Sequence, residues 1–160
     1  ALETGRIAVA ALTLRTAIRF LDRGWPLFVD LTKTNFVYPP SCVTSSRAFL
    51  KEQPGTVERF LKAYVEAISL FKNDRQFAER LYAKTYRETD SKVIKKTVEV
   101  YADLFKPVPY VPDQGIKLVV QELAQRRPLP NDFVSRVEQF RDNEPLEKLA
   151  REGWIEQVYR

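Results

Sequence analysis

The chain has 160 residues with 26 Lys and Arg against 21 Asp and Glu, a net charge of +5, and a composition that is 44% hydrophobic and 29% charged, the balance of an ordinary folded domain rather than a disordered chain. It has no histidine and a single cysteine, Cys42. That excludes an internal disulfide and a cysteine zinc site, removes the commonest metal ligand and general base, and predicts neither metal nor cofactor.

The first thirty residues read as a helix end, a strand, a helix and a strand. Leu2 to Gly5 closes on a glycine cap, and Ile7-Ala-Val-Ala-Ala-Leu12 is a continuous apolar run that suits a buried parallel strand. Leu14, Ala17, Ile18 and Leu21 fall at helical spacing before Gly24, with Thr13 placed to cap the helix. Leu27 to Leu31 returns to strand character, completing a βαβ pattern. In an open α/β sheet a ligand lies beyond the carboxyl ends of strands, where helix N-termini offer free N–H groups, and Thr13 holds that position.

Thr32 to Pro40 is polar and proline-bearing, the composition of a linker or crossing. A third short strand is expected over Ser41 to Ser45, then a short helix, a break at Pro54 and a long amphipathic helix with Val57, Phe60, Leu61, Tyr64, Val65, Ile68 and Phe71 on one face. Phe60, Tyr64 and Phe71 read as core, with the wall of an apolar ligand pocket as the alternative. Cys42 reads as a small core residue of the strand, since no histidine is present to activate a thiolate.

Further helices open at Asn73-Asp74 and at Asp90-Ser91. Lys106 to Pro112 is an extended connector, because its alternating prolines lack donors and restrict their predecessors. A helix carrying Ile116, Val119, Val120 and Leu123 follows, then a turn at Pro128 and Pro130, and a last helix capped by Asn143 and stopped at Gly153. The basic excess is interleaved with acids along the helices and no aromatic-spaced basic strip is present, so nucleic acid is not an expected partner.

The stretch from Ser41 through Arg47-Ala-Phe-Leu-Lys-Glu-Gln-Pro54 and Val57-Glu-Arg-Phe-Leu-Lys-Ala63 to Ile68 resembles a segment of the periplasmic solute-binding proteins of nitrate, sulfonate, taurine and thiamine-precursor importers. Ala1-Leu-Glu-Thr-Gly5, Thr13, Tyr86, Asp90 and Leu149-Ala-Arg-Glu-Gly-Trp-Ile155 fall in the same family order, although Ala8 and Leu14 stand where that family often has aspartate and proline. The resemblance implies an α/β fold, the C-terminal half of a two-lobe type II periplasmic-binding-protein architecture, with short parallel strands followed by a mainly helical section. Residues 1–34 would end the second lobe, and 35–160 would form the hinge crossing and the helical part of the first lobe.

On the same resemblance the chain would be the solute-binding component of an ABC importer, not an enzyme. It would trap a small solute, anionic or sulfonate- or nitrate-like, in a cleft whose closure a membrane permease reads. Thr13, Tyr38 and Ser41 are the implied ligand contacts. The implied partners are the solute, the permease and the remaining half of the protein or a second copy, and the implied location is the periplasm or the cell surface as a lipoprotein. The alternative is an enzyme of the related thiamine-pyrimidine synthase or desulfinase type, with its catalytic residues outside this chain.

Overall fold

The structure, a computed structural model, describes residues 1–34, 42–130, 132–133 and 135–160. Among the described residues it contains eight α-helices and two 3-10 turns, and no strand. The expected α/β class with short parallel strands is therefore corrected to an all-α fold. Residues 7–12, 27–30 and 42–45 are irregular and form no ladder. Their apolar side chains are largely exposed, Val9 at 63% and Phe28 at 75%. A short apolar run states only that a segment wants burial, and a strand also needs a partner that sequence spacing does not supply.

The chain divides into two compact units, residues 1–32 with 71–105, and residues 33–70 with 106–160. In the first unit, α1 (Leu14–Asp22) and α4 (Arg75–Tyr86) both pack on α5 (Ser91–Leu104). Ala78, Tyr82 and Val98 form its buried cluster, with Phe71 and Ile94 packed against it. Asp74 caps α4 by accepting from the Phe77 N–H at 2.8 Å, and Asp90 caps α5 by accepting from the Lys92 N–H at 2.9 Å. Both caps lie where the sequence puts them.

Thr13 occupies the N-cap position of α1, but its hydroxyl bonds to no backbone N–H and pairs with the Thr16 hydroxyl at 3.3 Å. A polar tie joins α1 to the turn after α4. Arg19 donates to both Glu88 oxygens, at 3.0 and 2.7 Å, and Glu88 Oε1 also accepts from the Thr89 and Asp90 N–H groups. The Asp90 N–H first, then Arg19 and last the Thr89 N–H hold the Glu88 carboxyl below the usual range against the opposing effect of burial.

The second unit holds α2 (Arg47–Glu52), most of α3 (Pro54–Asn73), α6 (Asp113–Arg126), the 3-10 turn Val137–Phe140, α7 (Glu144–Arg151) and α8 (Trp154–Val158). Proline suits the first turn of α3, where its missing donor has no intrahelical acceptor to serve. Val65, Ile68, Val120, Leu146, Leu149 and Ile155 are buried. Gly153, at φ 73°, supplies the left-handed turn that separates α7 from α8. Lys148 of α7 donates to Glu58 of α3 at 3.0 Å, and Ser69 donates to the Val158 carbonyl at 3.2 Å. No described helix is long and apolar enough to cross a membrane.

Candidate functional site: an apolar groove in the second unit

The connector after Lys106 is tied at both ends by side chains, Tyr159 donating its hydroxyl to the Pro107 carbonyl at 2.8 Å and Asn143 bonding to Val111. Asn143, expected to cap α7, instead bonds twice to the backbone of Val111, accepting from its N–H at 2.9 Å and donating to its carbonyl at 3.1 Å. Asp142 takes over the start of α7, accepting from the Glu144 N–H at 3.0 Å. Asp113, in the first turn of α6, receives both Nε and Nη2 of Arg141. This bidentate bond lowers the Asp113 carboxyl and raises the Arg141 guanidinium. Connector, α6 and the 137–145 segment are thereby locked in one arrangement.

These elements form one side of a groove of about 730 Å³. Its other side is the segment from Cys42 to Leu61, comprising the irregular stretch 42–46, α2 and the opening turns of α3. Ser46 caps α2 by accepting from the Phe49 N–H at 3.1 Å. Arg47 then donates to the Gln139 carbonyl, joining the two sides. Phe60 and Tyr64 stack at 6.0 Å with their planes 12° apart. Phe140 meets Phe133 edge-on at 5.1 Å.

The lining is mainly apolar and includes Val57, Phe60, Leu61, Ile116 and Phe140. Its formal charges balance, Arg47 and Arg141 against Glu138 and Asp142. One polar atom stands apart. Among the described residues, Gln139 Nε2 is buried and has no hydrogen-bond partner, a state that costs free energy until an acceptor is supplied. Among the described residues, no cluster of His, Cys, Asp and Glu is placed to hold a metal ion.

Thr13 lies in the first unit, exposed, and is not a lining residue. Tyr38 and Ser41 lie outside the described residues. Cys42, expected in a core, is exposed and lines the groove. Phe60 and Tyr64, also expected in the core, are 47% and 40% exposed, and Phe60 lines the groove. Arg47, Gln139 and Arg141 carry no local signal, because their partners are the Gln139 carbonyl and Asp113, distant along the chain or reached only through the fold. No protein-family model matches the chain, and neither does any curated protein or solved structure.

Proposed function

We propose that the protein is the solute-binding component of an ABC-type importer, holding a small molecule for delivery to a membrane permease outside the cytoplasm. One observation carries the reading. The stretch that resembles importer binding proteins, Ser41 to Ile68, contains the segment from Cys42 to Leu61 that walls one side of a concave apolar groove. Its volume falls in the range of small-molecule sites, ~300–1,000 Å³, and its composition, apolar with a few polar groups, is the usual one for such sites.

Binding of this kind needs no bond-breaking group. The solute is retained by buried apolar area and oriented by the few donors and acceptors at the groove wall. The test is a thermal-shift screen against sulfonates, nitrate, aromatic acids and pyrimidine precursors, followed by calorimetry and by mass spectrometry of the recovered solute. At least one solute is expected to raise the melting temperature and to be recovered unchanged. Conversion of a stabilising solute into product, or no stabilisation by any of them, would sink the reading.

A further inference from the structure

We infer that the groove of the second unit takes an uncharged aromatic solute bearing a hydrogen-bond acceptor, rather than an inorganic or sulfonate anion. The inference rests on the solute-binding reading and adds to it the chemical class of the occupant.

Three observations converge on this class. The first is charge. An anion entering a mainly apolar groove loses hydration and must regain it from unpaired cations or convergent N–H donors. Here Arg141 is paired bidentately with Asp113, while Arg47 donates to the neutral Gln139 carbonyl and keeps its charge. Glu138 and Asp142 share the same lining. Their two negative charges offset the two arginines, so the lining carries no net positive charge to hold an anionic guest.

The second observation is the wall itself. Phe60 and Phe140 both line the groove, and each already contacts another ring, Tyr64 and Phe133 respectively. Such rings offer faces and edges on which a flat guest stacks.

The third is Gln139. Its Nε2 is buried without a partner while the residue lines the groove. The last torsion of a glutamine side chain is broad, so its amide turns toward a guest at small cost. A carbonyl or ring-nitrogen acceptor on the solute would satisfy this donor and relieve the penalty it carries when empty-handed.

The experiment is an NMR titration of the methyl-labelled protein with benzamide, benzenesulfonate and toluene as probes, reading Val57, Leu61 and Ile116. Benzamide is expected to shift these methyls and to bind more tightly than benzenesulfonate. Gln139→Leu and the near-isosteric Gln139→Glu are each expected to weaken benzamide by about fivefold or more, the worth of one hydrogen bond, with toluene unchanged by Gln139→Leu. Chemical-shift dispersion equal to that of the unmutated protein shows that each variant is folded.

Tighter binding of benzenesulfonate at the same methyls overturns the inference and leaves the solute-binding reading standing. So does a stabilising solute from the thermal-shift screen whose shifts avoid all three methyls. If the screen and the probes alike yield no ligand, the solute-binding reading falls and the inference with it.

Discussion

Thr97 shows how sharply a single residue's environment departs from what its neighbours suggest. It is wholly buried on α5, and its hydroxyl has no hydrogen-bond partner among the described residues. Valine has the same shape without the polar group and a similar helix propensity, so Thr97→Val is expected to stabilise the protein by about 1 kcal/mol in urea unfolding. Glu58 departs in the opposite sense. Hydrogen bonds first from Lys62 and then from Lys148 lower its carboxyl from 4.5 to about 2. A depressed folded-state value means that the contribution is complete above pH 4.5 and disappears as the pH falls toward 2. Carbon-detected NMR should find Glu58 titrating near pH 2, with Lys62→Gln returning it toward the ordinary range. Salt should reduce the shift, because the pair is open to solvent. At this scale the sequence was legible where a side chain serves its own neighbours, as at Asp74 and Asp90. It was not legible at Asn143, whose partner Val111 lies a whole helix away.

Helices were readable as elements because their signal is local. Three- and four-residue spacing marked α1, α3, α4, α5 and α6 close to their observed limits. Ile7 to Leu12 and Leu27 to Leu31 failed as strands for the complementary reason, since a strand exists only through a ladder and none forms among the described residues. The candidate groove was half-legible. Phe60 was weighed as a pocket wall from its helix, but the connector, α6 and the 137–145 segment meet it only through tertiary contacts. Asn143 is the element-scale joint among these. Asn143→Ala removes both bonds to Val111 and leaves that backbone pair without its partner. It is expected to cost about 1–3 kcal/mol in denaturant unfolding and to increase hydrogen exchange at the Val111 amide, while the Asp142 cap preserves α7. Unchanged exchange at Val111 would show that the connector is held by other contacts.

At the scale of the molecule, each compact unit contains one of the two tryptophans, Trp25 in the first and Trp154 in the second. Leu149 is completely buried in the second unit, and Leu149→Ala is expected to cost about 2–5 kcal/mol through lost transfer energy and the cavity left behind. In Trp25→Phe and Trp154→Phe backgrounds, fluorescence reports each unit separately. Leu149→Ala should lower the midpoint reported by Trp154 by more than that reported by Trp25, because multi-unit chains need not unfold in one step. Equal shifts would show that the whole chain melts as one. The balance of charge along the helices was legible from the start, and so was the helical character of the later chain. The assembly of residues 71–105 with 1–32 was not, since nothing in the intervening composition announces it.

The uncovered run from Ile7 to Leu12 has a practical consequence. It holds no charge and no proline, and its valine and isoleucine favour the intermolecular cross-β stacking that seeds insoluble fibres. Concentrated stocks should therefore be limited by this run rather than by the helices. Val9→Lys, at a position 63% exposed, should raise the concentration at which precipitate forms while leaving the melting temperature nearly unchanged.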